Sequence, residues 1–376
     1  MCWCYSNNTL FTENNNGRLH KNIIMKLIKT VDAEGAVLCH DITQIIKGVT
    51  KDAVFRKGHV VTKEDIPVLL SVGKDQLYVW EKEEGMLHEN DGAEILCAMC
   101  KGEHMERSQA KEGKIELTAA CDGLLKVDNK GLKAVNGFGQ MMIATRHGNF
   151  AVKKGDKLAG TRIIPLVIEE EKMTKAKEAA MAATGNKPIL NLLPFKHKKV
   201  GIVTTGNEVF YGRIKDTFTP VIEGKLAEFD TEIIDHVTWN DDDTKVTASI
   251  LDMIHKGADI VVCTGGMSVD PDDKTPLAIK NTGADIVSYG APVLPGAMFM
   301  LAYYQVTEGD DTRTVAIMGL PGCVMYAKRT IFDLVLPRVM ADDKVTAEEL
   351  AALGLGGLCL NCPVCTFPNC GFGKGV

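Results

Sequence analysis

Long apolar runs are missing from this chain: no stretch approaches the roughly 18 residues that a membrane-spanning helix needs, so no membrane association is expected. An excess of positive charge is missing too. The formal net charge of −6 argues against bulk binding of nucleic acid, and the basic string KHKK at 196–199 reads as the flank of a strand. The first 24 residues are rich in asparagine and lack the apolar segment of a secretion signal. Because Met25 opens an ordinary strand pattern, KLIKTV, residues 1–24 read as a disordered extension or a misplaced start, which leaves Cys2 and Cys4 as weak ligands. Without a secretion signal the expected compartment is the cytoplasm, where disulfides are disfavoured.

What is present is a soluble globular composition. A chain of 376 residues with 45% hydrophobic and 24% charged residues suits two or three domains, each with its own core. The most informative region lies between Lys199 and Pro276. There two β-branched runs, Val200 to Val203 and Ile260 to Cys263, are too uniformly apolar for half-exposed strands and suit parallel strands covered on both faces. Each breaks at Thr-Gly, and in an open α/β sheet ligands bind at such carboxyl ends. Thr204 to Glu208 and Thr264 to Asp273 are therefore the expected floor of one site.

In the second loop, Gly265 and Gly266 can take positive φ and admit a ligand close to the backbone, while Thr264 and Ser268 add hydroxyls. Asp270, Asp272 and Asp273 place three carboxylates behind this phosphate-friendly loop, a repulsive arrangement unless a divalent cation sits among them. The plain alternative is capping of a helix that begins near Lys274. Upstream, WNDDDTKV offers Asp241 as a site candidate and Asp242 and Asp243 as a helix cap with a solvated face. A further loop, MGLPGCVMYAKR, separates a strand at Thr314 to Met318 from a helix expected over Val324 to Leu336.

Taken in order, TTGNE, the acidic step after Asn240, TGGMSV with Asp273, the Pro-Gly of Leu294-Pro295-Gly296, and GLPG at Gly319 to Gly322 resemble the motif set of the molybdopterin-binding domain. That domain is shared by molybdopterin molybdenumtransferase, gephyrin-type proteins and molybdopterin adenylyltransferases. The resemblance covers 191–341 and implies a three-layer α/β/α domain that holds molybdopterin, often adenylylated, and joins it to molybdate with magnesium. It further implies Asp273, Asp241 and Glu208 as catalytic and metal or molybdate residues. Thr205, Gly206, Thr264, Gly265, Gly266, Ser268, Pro295, Gly296, Pro321 and Gly322 are implied as the pterin-binding set.

The chain departs from the transferase pattern at three places. Lysines usual around the Pro-Gly step are replaced by Leu294 and Ala297; Cys323 and Val324 follow GLPG where Asn-Pro is usual; and a long catalytic insertion is reduced to Ile45 to Ala53. Cys323 is either a packing residue or a functional sulfur. The amino-terminal half, 25–190, carries a weaker likeness to the transferase in GAVLCHDITQI and in the segment from Phe55 to Glu81, and is expected to be β-rich α+β. Within it, His88, Glu89 and Asp91 stand ahead of a helical pattern, and Arg146, His147 and Arg162 stand around β turns. These two strings could replace the missing catalytic contribution; the plain readings are a helix start with a solvated face for His88 and Glu89, and a strand-edge charge rather than an anion clamp for Arg162. Residues 168–188 suit a mainly exposed connector helix, with a domain boundary near 190.

The tail, 342–376, is Cys-rich. Cys359, Cys362, Cys365 and Cys370 read C-x2-C-x2-C-x4-C, enough thiolates for a structural zinc or an iron–sulfur cluster. By contrast, Cys97, Cys100 and His104 in CAMCKGEH read better as a helix face, and Cys39, Cys121 and Cys263 as core.

Three functions follow. The first is a molybdenum cofactor enzyme that inserts molybdate with release of AMP and passes the product to an apo-molybdoenzyme. The others are a non-catalytic molybdopterin carrier or sensor and a nucleotide pyrophosphatase using the same domain. The oligomeric state is left open by the sequence, although the resemblance, whose members are commonly dimers or trimers, allows a homo-oligomer for any of them.

Overall fold

The computed structural model describes residues 26–46, 50–79, 85–268, 270, 273–309 and 311–375. Cys2, Cys4 and Asp272 therefore lie outside the described residues. Among those described, no helix is long and apolar enough to cross a membrane.

The amino-terminal half forms two small units. In the first, Lys26–Lys29 pairs antiparallel with Gln76–Val79, and Ile42–Ile46 pairs with Thr50–Phe55. Leu38, Ile42, Val61, Leu69 and Leu77 fill its core. The second unit packs helices Glu89–Cys100, Asn129–Asn136 and Glu170–Thr184 against antiparallel sheets of four and three strands. Its β-rich α+β character agrees with the sequence pattern. Glu170–Thr184 is mainly exposed, as expected, but it is part of the second unit rather than a connector. Met173, Ala176 and Ala180 recur at helical spacing and are buried in the core of this unit. The unit also runs on past residue 190, because Leu190–Pro194 pairs with Gly123–Val127.

The carboxyl-terminal domain is a mixed sheet of six strands: β1 (Lys198–Thr205), β2 (Thr231–Trp239), β3 (Ile260–Thr264), β4 (Asp285–Tyr289), β5 (Met300–Glu308) and β6 (Asp311–Leu320). Their spatial order is β2-β1-β3-β6-β5-β4. The β2-β1-β3-β6 pairs are parallel, whereas β5 joins both β6 and β4 antiparallel.

Both faces of the sheet are covered, which explains the uniformly apolar runs. Val200, Ile202, Ile260 and Val262 point to one face, where α1 (Thr219–Leu226) and α4 (Ile331–Met340) lie. Val203, Val261 and Cys263 point to the other, beneath α2 (Asp243–His255) and α3 (Thr275–Asn281). A Cβ on Gly201 would come within 2.5 Å of the Met253 sulfur, so glycine there sets how closely α2 approaches β1.

Helix ends follow local chemistry. Asp242 caps α2 by accepting from the Lys245 amide. The helix expected over Val324 to Leu336 instead begins at Ile331, where Thr330 and Asp333 form a capping box; Gly322–Met325 is only a 3-10 turn. A second capping box, Thr346 with Glu349, starts α5 (Ala347–Ala352).

Candidate functional site

The carboxyl ends of β1 and β3 meet in a small threonine network. Thr205 Oγ1 donates to the Thr264 carbonyl at 3.2 Å and shares a hydrogen bond with Thr275 Oγ1 at 3.0 Å; Thr275 Oγ1 in turn donates to the Gly265 carbonyl at 2.9 Å. On the other side of β1, Thr204 Oγ1 lies 3.2 Å from Thr219 Oγ1 and 3.0 Å from His236 Nε2. Thr204, Thr205, Thr264, Thr219 and Thr275 are all buried. Satisfied buried hydroxyls fix the strand ends as a rigid platform.

Two loops rise from this platform. Gly206 has φ 136, and the single helical turn Asn207–Phe210 follows it, carrying Glu208 exposed. In the second loop Gly265 and Gly266 take φ 82 and 54, as the reading of an anion-accepting turn requires. The reason for glycine is stricter than ligand access, because a Cβ on Gly265 would lie 2.1 Å from the Thr205 carbonyl oxygen.

The two aspartates are held by different loops. Asp241 Oδ2 accepts from the Asn207 amide at 3.3 Å, tying the end of β2 to the first loop. Asp273 Oδ2 accepts from the Ser268 amide at 2.7 Å and closes the second loop. Among the described residues the N-cap of α3, Lys274, makes no side-chain cap, and the Asp273 carboxylate turns to the Ser268 amide instead. Its charge reaches Tyr289: burial, with Asp273 adding to it, raises the Tyr289 phenol above its ordinary range, and Tyr289 donates to the Met267 carbonyl at 3.2 Å. Among the described residues, no three His, Cys, Asp or Glu side chains converge tightly enough to hold a single metal ion, and this includes Glu208, Asp241 and Asp273.

The two remaining motifs close the edge. The Leu294-Pro295 peptide is cis, and Gly296, at φ 134, packs so that a Cβ would sit 2.5 Å from Ile331 Cγ2 at the start of α4. Gly319 gives Met267 room, since a Cβ there would lie 2.6 Å from its sulfur. Pro321 is buried and Gly322 exposed. Cys323 is half-buried, and burial pushes its thiol above the ordinary range, away from reactive thiolate chemistry.

Several site residues carry no sequence signal of their own. Thr275 and Tyr289 reach the second loop from α3 and β4. Asp216 holds Thr219 with a 2.5 Å hydrogen bond. Phe210 and Trp239 stack with centroids 6.2 Å apart beside the first loop, with Lys245 Nζ 5.4 Å from the Trp239 ring. Lys328 and Arg329 line one cavity with Leu294 and Pro295, so cations do stand near the Pro-Gly step, contributed by another loop.

The amino-terminal candidates lie elsewhere. His88 caps Glu89–Cys100 through the Asn90 amide, and Glu89 is buried in an ion pair with Lys57. Cys97 and Cys100 are core residues of that helix, with the Cys100 thiol pushed up to about 12 by burial. Arg146 pairs with Asp156, and Arg162 is exposed on its strand. Cys39 and Cys263 are buried, whereas Cys121 is only half-buried.

Residues 201–341 match the family described as "Probable molybdopterin binding domain", and residues 27–81 match a "Domain of unknown function (DUF8806)". The first match contains every loop of the edge, and residues 201–341 are a domain of this molybdopterin-binding family. A CinA-like protein of Mycobacterium tuberculosis is 34% identical over 77 residues, 20% of this chain and 18% of that protein. The chain thus spans under a fifth of the length of such curated relatives. Among solved structures, the tungsten cofactor synthesizing protein MoaB of Pyrococcus furiosus is 20% identical, covering 39% of this chain and 89% of its own, with a TM-score of 0.29. The molybdopterin biosynthesis Mog protein of Mycobacterium ulcerans is 14% identical, covering 39% and 99%, with a TM-score of 0.29.

Proposed function

We propose that the carboxyl edge of β1, β2 and β3 binds molybdopterin, or its adenylylated form, and promotes magnesium-dependent insertion of molybdate with release of AMP. The observation that carries this reading is the second loop, in which two consecutive positive-φ glycines and Ser268 are closed by Asp273 beside a threonine platform. Glycine backbone and hydroxyls suit a phosphate. Asp241, Asp273 and Glu208 do not converge on one point, but each is a hard oxygen donor, and Mg²⁺ needs only one or two carboxylates beside the phosphate oxygens of the ligand; when bound it would offset negative charge at a phosphoanhydride. The Phe210–Trp239 stack offers an apolar face to a flat heterocycle. Molybdate is a substrate of this reaction, and an apo-molybdoenzyme is the recipient of its product.

One observation favours a second reading, a carrier that binds without turnover. Where the resembling transferases carry lysine this chain has an uncharged, exposed Leu294, and only its backbone is engaged by the tail: its amide donates to the Gly357 carbonyl and its carbonyl accepts from the Cys359 amide, each at 2.8 Å.

Anaerobic protein given adenylylated molybdopterin, magnesium and molybdate separates the readings. Molybdate-dependent AMP release that Asp273→Asn removes supports the transferase. Tight binding without AMP supports the carrier, and AMP release indifferent to molybdate supports a pyrophosphatase.

A further inference from the structure

Cys359, Cys362, Cys365 and Cys370 are all free thiols, and all four line one cavity of about 610 Å³ beside the Leu294-Pro295 step. The chain that carries them is anchored at both ends. Cys359 is held by the backbone pairing with Leu294, while beyond Cys370 the Phe372 ring is buried in the same core as α4. Phe367, between them, packs edge-on to Phe150 of the second unit with centroids 5.6 Å apart. Cys359 and Cys370 are half-buried against this fixed base, whereas Cys362 and Cys365 are exposed where they line the cavity.

Two features of the surroundings call for an occupant. Leu358, Leu360 and Val364 are 63%, 79% and 75% exposed around this loop, an apolar collar with no protein packed on it. Lys328 and Arg329 line the same cavity, and Lys328 Nζ donates to the Pro363 carbonyl at 3.0 Å, which places an ammonium over the segment between Cys362 and Cys365. An occupant ligated by four thiolates and carrying net negative charge matches both features.

Size decides between a lone ion and a cluster. A tetrahedral zinc with bonds of about 2.3 Å draws its four sulfurs to within about 3.8 Å of one another, which leaves a closed knot and no cavity. Here the four thiols line a space of about 610 Å³, far larger than one ion, and no three of them are gathered at a single point. We infer that this cavity seats a cubane [4Fe–4S] cluster ligated by Cys359, Cys362, Cys365 and Cys370. Four thiolates on the doubly positive core give a net charge of about −2, which the two cations of the wall offset. The assignment is independent of what the sheet edge binds.

The test uses the full chain, purified anaerobically and reconstituted with ferrous iron and sulfide. Iron, acid-labile sulfide and zinc are counted, and the dithionite-reduced protein is examined by electron paramagnetic resonance. The expected result is about four irons and about four sulfides per chain, with broad charge-transfer absorption in the visible. Cys362→Ser and Cys365→Ser, at exposed positions where serine does not threaten folding, lose most of the iron; Cys121→Ser and Asp273→Asn keep it all. One zinc without sulfide, no bound metal, or full iron in the Cys362 and Cys365 variants would each overturn the assignment.

Discussion

The two ends of the carboxyl edge satisfy their polar groups in opposite ways. At β1 and β3 every threonine hydroxyl of the platform has a protein partner within 3.3 Å, and the loops above are shaped by positive-φ glycines and held by the Asp241 and Asp273 carboxylates. At the tail, four thiols face an open space under an apolar collar. One region is organised before any ligand arrives, as binding sites on rigid elements are. The other is completed by what it holds, as small metal sites are. A perturbation should therefore separate the two.

The largest effect is expected where both ends share a support. Asp333 is buried, accepts from Lys225 Nζ at 2.7 and 2.8 Å, pairs with Arg329 and closes the capping box of α4. Asp333→Ala strands a buried lysine, and chemical denaturation should show a loss of about 3–5 kcal/mol. Iron retention and pterin binding should fall together.

Next comes Asp273→Asn, which keeps the shape of the loop and removes one carboxylate charge. AMP release should drop roughly a hundredfold, while the denaturation midpoint stays near that of the parent. Gly265→Ala should act on both binding and folding at the sheet edge. With φ 82 and the Thr205 carbonyl in the way, it should cost about 1–3 kcal/mol of stability and weaken pterin binding, read by calorimetry, with no change in iron content.

The smallest effect concerns pH. Burial works to raise the Asp216 carboxyl, but hydrogen bonds from Thr219 and from the Phe218 amide, with the nearby His236, outweigh it and hold the carboxyl below its ordinary range. Its contribution to stability is therefore present above the ordinary carboxyl pKa of about 3.9 and lost as pH falls through the lower folded value. Thermal melts of the parent should decline in that acid window, and Asp216→Asn should flatten the decline. An equal decline in both proteins would show that Asp216 does not steady the Thr204–Thr219 side of β1.

Much of the sheet edge was legible because its signals are local. Uninterrupted runs such as Ile260 to Cys263 are what a doubly covered parallel strand demands, and Thr-Gly breaks mark their ends. Asp242 as a cap, and Cys97 and Cys100 as a helix face, could also be read from neighbours in sequence.

What escaped depends on long-range packing. Thr275 and Tyr289 matter only because α3 and β4 return to the second loop. Met173, Ala176 and Ala180 form a narrow buried stripe on an otherwise exposed helix, too few apolar side chains for composition alone to reveal. The start of α4 was missed for a different reason: the Thr330 to Asp333 capping box was present, but the preceding apolar turn, Val324 and Met325, resembled a helix already under way. The cations near Pro295 were invisible because Lys328 and Arg329 belong to a loop over 30 residues away.

The most direct test of pterin chemistry at the sheet edge is AMP release from adenylylated molybdopterin by anaerobic protein with magnesium, with and without molybdate, for the parent and Asp273→Asn. Release that requires molybdate and is lost in the variant is the predicted result. Release unaffected by molybdate, or failure of the parent to bind the pterin at all, would contradict it.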